Sequence, residues 1–329
     1  MRHLSTSDWL EPRGTAAAPH LREVTVLLAA PRGFCAGVTR AIDAVRDALA
    51  VHGAPVYVRR AIVHNLEVVR SLEEQGAIFI QELDEAPAGS VVLFSAHGVS
   101  PAIIGDARRR GLTAYDAVCP LVSKVHREVE RHQRNGRRLI LIGHQGHPEI
   151  EGTLGHVPPG SAFLVNSTEE VAALPLSDDE PTAFAVQTTY SVDDARHIVD
   201  ALKARFSDLA GPSSSDICYA TTNRQAAVRE LADRADAVIV AGDRSSSNAN
   251  RLAEVASARC AQVQLIANAS EIDWSKLPES GAIGITAAAS TPESVVQSII
   301  AALGGRYRVR IEEVETVRET VAFKRLAVA

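Results

Sequence analysis

Short, continuous apolar runs recur along this chain, and between them apolar residues return every three or four positions. The runs lie at 24–30, 55–59, 77–80, 91–94, 139–142, 162–165, 184–186, 237–240, 263–266 and 283–285. Runs this short, rich in Val, Ile and Ala and bounded by polar turns, predict parallel strands buried on both faces; the intervening periodicity predicts helices. In such sheets functional groups gather at the carboxyl ends of strands, beside helix N-termini.

The pattern repeats three times, in step with three cysteines. Cys35, Cys119 and Cys218 are 84 and 99 residues apart, and each follows a short loop and opens a helical stretch. These stretches are predicted to end near His52-Gly53, at Asn135-Gly136, which supplies a C-cap, and near residue 235. A strand follows each and closes on a polar cluster: Val63-His64-Asn65, Gly143 to Glu149, and Gly242 to Asn248. The spacing from Cys35 to His64, Cys119 to His147 and Cys218 to Ser247 is 29, 28 and 29 residues. Each unit then repeats a helix, a second apolar run, and a third run that ends in polar residues: Ser95-Ala96-His97, Gln187-Thr188-Thr189, and Ala289-Ser290.

The expected fold class is therefore α/β. Three pseudo-threefold-related lobes with small, mostly parallel sheets would surround one central site. The expected organisation is an unstructured extension over 1–22, a strand over 23–35 that joins the third lobe, lobes over 36–119, 120–214 and 215–303, and a tail over 304–329. The strand at 24–30, leading directly to Cys35, would lock the ring shut.

Composition narrows the function. The 329 residues are 46% hydrophobic and 22% charged, as expected of a soluble globular protein, and aromatics are only 4%. The net charge of −6 argues against a nucleic-acid surface. No apolar run approaches the length of a transmembrane helix, so no membrane association is expected. The first 22 residues lack the apolar core of a signal peptide, which points to a reducing cytoplasm. Four cysteines in a chain this long do not form a disulfide scaffold. The oligomeric state is not readable from the chain.

Three thiols at equivalent strand-to-helix loops form a pocket of soft ligands if the lobes bring them together. Three thiolates can hold a 4Fe–4S cluster by three irons and leave one iron open. A three-cysteine zinc site and simple burial are the other readings, although no closely spaced ligand pair of the usual zinc kind occurs. Cys260 fits no repeat position. His64, His97 and His147, with Ser246, Ser247, Asn248 and Ser290 on loops that precede helices, suit a phosphate or diphosphate. Glu149, in the turn His147-Pro148-Glu149, is the natural proton donor if burial raises its pKa, and Thr188 and Thr189 could orient a hydroxyl or relay the proton. His126, His132, His144 and His156 have no counterpart in the repeat and are read as ordinary core or surface histidines.

These residues resemble the LytB/IspH family, the hydroxymethylbutenyl diphosphate reductases. The resemblance runs from about residue 24 to about 303. It is carried by Pro31-Arg32-Gly33-Phe34-Cys35-Ala36-Gly37-Val38, Val63-His64-Asn65, Ser95-Ala96-His97-Gly98-Val99-Ser100, Cys119-Pro120-Leu121-Val122 and Gly146-His147-Pro148-Glu149. It continues in Gln187-Thr188-Thr189, Asp216-Ile217-Cys218-Tyr219-Ala220-Thr221-Thr222-Asn223, Ser246-Ser247-Asn248 and Ala289-Ser290. It implies a three-lobed fold around a 4Fe–4S cluster on Cys35, Cys119 and Cys218, with one open iron for the substrate hydroxyl. It implies a diphosphate held by His64, His97, His147, Ser246, Ser247, Asn248 and Ser290, and a proton from Glu149 with Thr188. The implied reaction is reductive removal of an allylic hydroxyl, giving isopentenyl and dimethylallyl diphosphate, with electrons from a ferredoxin or flavodoxin. Two rivals on the same residues are a non-catalytic iron–sulfur sensor and a zinc-dependent diphosphate hydrolase. Two departures stand out: Ala288-Ala289-Ser290 where the family often has Gly-Ala-Ser, and Thr189-Tyr190-Ser191 where it often has Thr-Leu-Ser.

Overall fold

Each apolar run of the sequence becomes a strand, and each stretch of helical period becomes a helix. The computed structural model describes residues 9–10 and 21–329; the extension expected over 1–22 falls largely outside them. In chain order the elements are β1 (Trp9–Leu10), β2 (Glu23–Ala30), α1 (Ala36–His52), β3 (Val56–Arg59), α2 (Leu66–Glu74), β4 (Ala77–Ile80), β5 (Val91–Phe94), α3 (Pro101–Arg109) and β6 (Thr113–Asp116). Next come α4 (Pro120–Arg134), β7 (Arg138–Ile142), α5 (Pro148–Leu154), β8 (Ala162–Val165), α6 (Thr168–Ala172), β9 (Thr182–Val186), α7 (Val192–Arg205) and β10 (Leu209–Ala210). The chain ends with α8 (Tyr219–Arg234), β11 (Ala237–Ala241), α9 (Ser247–Ser257), β12 (Val263–Ile266), β13 (Gly281–Ala287), α10 (Glu293–Gly304) and β14 (Arg308–Glu315).

Two compact units result. One comprises Met1–Cys35 with Tyr219–Val321, the other Ala36–Cys218 with Ala322–Ala329. The first holds one six-stranded sheet, in the order β1-β14-β2-β13-β11-β12. The second holds two four-stranded sheets, β4-β3-β5-β6 and β8-β7-β9-β10. The same order appears three times: second strand, first strand, third strand, fourth strand. In the six-stranded sheet the fourth position is filled by β2, which pairs in parallel with β13. Only the β1–β14 pair is antiparallel among the described strands.

Parallel strands buried on both sides need helices on both faces, and the six-stranded sheet shows how the alternation meets that need. Val26, Ile239 and Ile285 point toward Val295, Val296 and Ile299 of α10. Their neighbours Leu27, Val238 and Val240 point the other way, toward Val228 and Leu231 of α8 and Leu252 of α9. Each such side chain, fully removed from water, contributes about 2 kcal/mol. In the other unit, α4 buries Val122, Val125 and Val129 as one stripe, while Arg127, Arg131 and Arg134 stay exposed on the opposite face. The predicted helix ends hold: Gly53 and Gly136 follow α1 and α4 with φ of 76° and 73°, the left-handed conformation glycine adopts without penalty.

Candidate active site

Each of the three cysteines follows the fourth strand of a sheet, and a helix begins at the next residue. Cys35 lies between β2 and α1, Cys119 between β6 and α4, and Cys218 between β10 and α8. The loops are tied in the same way. The Cys35 N–H donates to the Ala289 carbonyl at 3.2 Å, that of Cys119 to Ala96 at 3.0 Å, and that of Cys218 to Thr188 at 3.0 Å. All three acceptors belong to the loop after the third strand of a sheet. The expected equivalence of the thiols is thus present down to a single repeated hydrogen bond.

None of the three is in a disulfide, and all are half-buried, whereas Cys260 is buried in the core beside α9. The Cys260 thiol donates to the carbonyls of Ala235 and Gln262. It packs as a small hydrophobe, with no link to the repeat. The thiolate is the form of cysteine that ligates iron. Among the described residues no three His, Cys, Asp or Glu side chains gather closely enough to hold a metal ion as they stand. The fit to an iron–sulfur cluster therefore rests on the donor chemistry and on the threefold loop geometry.

Within the second unit, three histidines from three different strand ends lie together. His64 follows β3, His97 follows β5, and His147 caps α5. Ring centroids lie 4.3 Å apart for His64 and His97, 5.6 Å for His64 and His147, and 5.8 Å for His97 and His147. Burial, and then the neighbouring His64, His147 and Arg60, hold His97 well below the usual histidine range. Burial, followed by His64 and His144, pushes His147 down to about 3. Both are therefore neutral N–H donors at neutral pH. The Glu149 backbone N–H donates to His147 Nδ1 at 3.2 Å, so the ring's own proton sits on Nε2. The Ser95 hydroxyl lies 3.2 Å from His97 Nδ1 and fixes that ring in turn.

Glu149 is 2% exposed. Its Oε1 accepts the Thr188 N–H at 2.7 Å and its Oε2 accepts the Thr188 hydroxyl at 2.8 Å. Two such bonds favour the carboxylate, yet burial outweighs them, and with a smaller push from Asp216 the pKa rises to about 7. The carboxyl is thus poised to hold a proton near neutrality. Gln187 supports the same loop: its Oε1 accepts the His144 N–H at 2.9 Å and its Nε2 donates to Thr189 at 2.8 Å.

In the first unit, Ser246, Ser247 and Asn248 form the start of α9. The Ser246 hydroxyl caps the helix by accepting the Ala249 N–H at 3.3 Å. Asn248 is 5% exposed, and its side-chain oxygen and nitrogen have no hydrogen-bond partner among the described residues. A buried amide left so costs about 1–3 kcal/mol, and a bound oxyanion would relieve that cost. Ser290 follows β13 and is buried.

The residues expected to lie outside the repeat do so. His156 Nδ1 lies 2.7 Å from Glu130 and its ring stacks on His126, with centroids 4.0 Å apart. His132 is buried in α4, and His144 packs against Tyr190. The substituted Tyr190 is 2% exposed and donates to the Asn166 carbonyl at 2.9 Å, so its bulk is absorbed by the core. Asp216 stands at no position that the threefold repeat singles out. It is buried, its Oδ2 accepts the Val186 N–H at 3.0 Å, and burial raises its pKa to about 6 despite Lys124. Its signal was available, as an acid inside a matching motif two residues before Cys218.

Residues 26–304 match the family described as LytB protein. A protein of Paracoccus denitrificans named 4-hydroxy-3-methylbut-2-enyl diphosphate reductase is 53% identical over 302 residues, covering 92% of this chain and 96% of its own length. A protein of the same name from Methylocella silvestris is 50% identical over 303 residues, with 92% and 95% covered. The solved E-1-hydroxy-2-methyl-but-2-enyl-4-diphosphate reductase of Plasmodium falciparum superposes with a TM-score of 0.88 at 36% identity, over 94% of this chain and 96% of that one.

Proposed function

This chain belongs to the LytB family, and from that premise we propose that it reduces 4-hydroxy-3-methylbut-2-enyl diphosphate to isopentenyl and dimethylallyl diphosphate. One observation carries the reading: relatives of that name share half of all residues over nearly the whole length of both chains. The substrate is an allylic diphosphate. The carbon–oxygen bond to its hydroxyl breaks, one carbon–hydrogen bond forms, and two electrons and two protons are consumed as water leaves.

We assign the ligands of a 4Fe–4S cluster to Cys35, Cys119 and Cys218, whose repeated loops and thiol chemistry support the assignment. When bound, such a cluster supplies the two electrons in single steps and an open iron for the hydroxyl oxygen. The chain's own residues bind and protonate. His64, His97 and His147 present ring nitrogens to the diphosphate, which would draw protons onto the His97 and His147 rings that are neutral in its absence. Ser246, Ser247, Asn248 and Ser290 add neutral donors, and the partnerless Asn248 amide supports that role. Glu149 holds the proton. The Thr188 hydroxyl can accept it from Oε2 and pass its own proton on toward the leaving oxygen. The electrons would come from a ferredoxin or flavodoxin in the cytoplasm; no helix among the described residues is long and apolar enough to cross a membrane.

The test is anaerobic loading with iron and sulfide followed by turnover with dithionite. Loss of the allylic diphosphate with formation of both five-carbon diphosphates is expected. Full loading without consumption of the diphosphate would overturn the reading and favour a sensor, and zinc in place of iron would favour a hydrolase.

A further inference from the structure

Five residues after Cys35 stands Arg40, five after Cys119 stands Lys124, and six after Cys218 stands Arg224. Each lies on the helix that its cysteine opens, and each reaches not for its own loop but for the stretch that leads into another of the three cysteines. Arg40 Nη1 donates to the carbonyl of Val118, directly before Cys119, at 3.0 Å. Lys124 Nζ donates to the carbonyls of Ser214 at 2.8 Å and Ser215 at 3.2 Å, and to Asp216 at 3.2 Å, directly upstream of Cys218. Arg224 donates through Nη2 and Nε to the Gly33 carbonyl at 2.7 and 3.1 Å, two residues before Cys35. The order is cyclic: the helix after the first cysteine grips the second loop, the helix after the second grips the third, and the helix after the third grips the first.

Arg224 is 0% exposed, and its charge is answered by Glu319 at 2.9 Å. Arg40 Nε donates to the Lys324 carbonyl at 3.0 Å. Two of the three cations are thus held from behind by residues of the last stretch of the chain. A charged side chain with a fixed partner on one side and backbone carbonyls on the other has few rotamers left. Its hydrogen bonds to those carbonyls are stronger than neutral ones.

We propose that Arg40, Lys124 and Arg224 are positioning residues that clamp the three cysteine loops in the geometry needed to hold the cluster. The proposal rests on the assignment of Cys35, Cys119 and Cys218 as its ligands, and deepens it. Outer-shell groups of this kind typically change metal retention by on the order of tenfold to a hundredfold when removed.

The test uses the full chain carrying Arg40→Gln, Lys124→Gln or Arg224→Gln, with the exposed Arg46→Gln on α1 as control. Amide hydrogen exchange is measured on the iron-free chain, and iron release to a chelator on the loaded chain. Each clamp variant is expected to speed exchange about tenfold in the one loop it grips and to leave the other two at wild-type rates. Those loops are 116–119 for Arg40, 214–218 for Lys124 and 33–35 for Arg224. Iron should leave at least about ten times faster from each clamp variant than from wild type or Arg46→Gln. If Arg224→Gln fails to fold, Glu319→Gln takes its place, with the same loop affected. Uniformly faster exchange across all three loops, or wild-type iron retention in every variant, overturns the clamp. A wild-type chain that takes up no iron overturns the ligand assignment instead, and the loop-specific exchange pattern still decides whether the clamps exist.

Discussion

Glu149 shows how burial can turn a common residue into a proton store. Its carboxyl is almost fully enclosed, and its pKa of about 7 comes from desolvation prevailing over two hydrogen bonds from Thr188. Replacement by Gln keeps the shape and the bond from the Thr188 N–H but removes the proton. Glu149→Gln is expected to keep iron content and diphosphate affinity and to lose turnover by about two to three orders of magnitude. The pH profile supplies an independent check. Turnover should fall as pH rises through about 7 in wild type, because the protonated form disappears. The limb should be absent from the residual rate of the variant. Glu149→Gln with a wild-type rate would remove this residue from the chemistry. At this scale the sequence was informative, because His64 and His147 follow the first strands of their sheets at matching distances from a cysteine, His97 follows a third strand, and Glu149 stands two residues past His147. Arg40, Lys124 and Arg224 were not legible: a cation one and a half turns into a helix reads as a solvated face until its distant carbonyl partners are known.

The loop after β5 carries His97 and then Gly98, whose φ of 77° lies in the left-handed region. A Cβ there would come within 2.6 Å of His126 Cε1 and 2.9 Å of Val118 Cγ2. His126 is itself stacked on His156, which lies 3.2 Å from the Val99 carbonyl, so little in this wall can yield. Gly98→Ala is expected to cost about 2–4 kcal/mol, as backbone strain and overpacking add. It should raise KM for the diphosphate by moving His97. Gly89→Ala is the control, since Gly89 has a similar φ of 81° but nothing within 4 Å of its Cβ position. It should cost about 1 kcal/mol and leave KM unchanged. Equal losses in the two variants, by chemical denaturation, would show that packing around Gly98 is not what holds the loop. Elements were legible where the pattern was strong and hidden where it was short or exposed. The ten apolar runs all became strands. Strand β10 is only two residues, β6 has no buried residue, and β14 buries just Val309 and Val314 among charged neighbours, so none carried a readable period.

At the scale of the whole molecule the same four-strand order occurs three times. Its third occurrence is completed by β2, so the two ends of the chain, β2 and β14, share one sheet. The repeat was visible because chemistry punctuates it, with a cysteine, a first polar cluster and a second. The share of the C-terminal stretch was not visible, because it acts through backbone pairing and ion pairs that leave no period. The buried titratable groups also act together, and their sum fixes how stability varies with pH. His126 and His147 are both pushed down to about 3 by burial, so folding favours their neutral forms. The stability they contribute is complete above about 6.5 and is lost as pH falls from there toward 3. Glu149 and Asp216 are raised to about 7 and about 6, so folding favours their protonated forms. Their contribution is complete below about 4 and is lost as pH rises through 6 to 7. His97 and His132 are lowered as well and Asp116 is raised, so between about 4.5 and 6.5 the unfolded histidines draw protons while the folded carboxyls hold theirs, and the two slopes oppose each other. Below about 4 the carboxyls are protonated in both states, while His126 and His147 each still remove up to about 1.4 kcal/mol per pH unit. Urea denaturation of the iron-free chain across pH 3–8 should therefore show an acid limb that steepens below about pH 4.5, and the stability of wild type relative to Glu149→Gln should fall as pH rises from about 4.5 to 7. A difference between the two chains that stays constant over that range would mean that the Glu149 carboxyl does not hold its proton, and with it would go the proton store on which turnover depends.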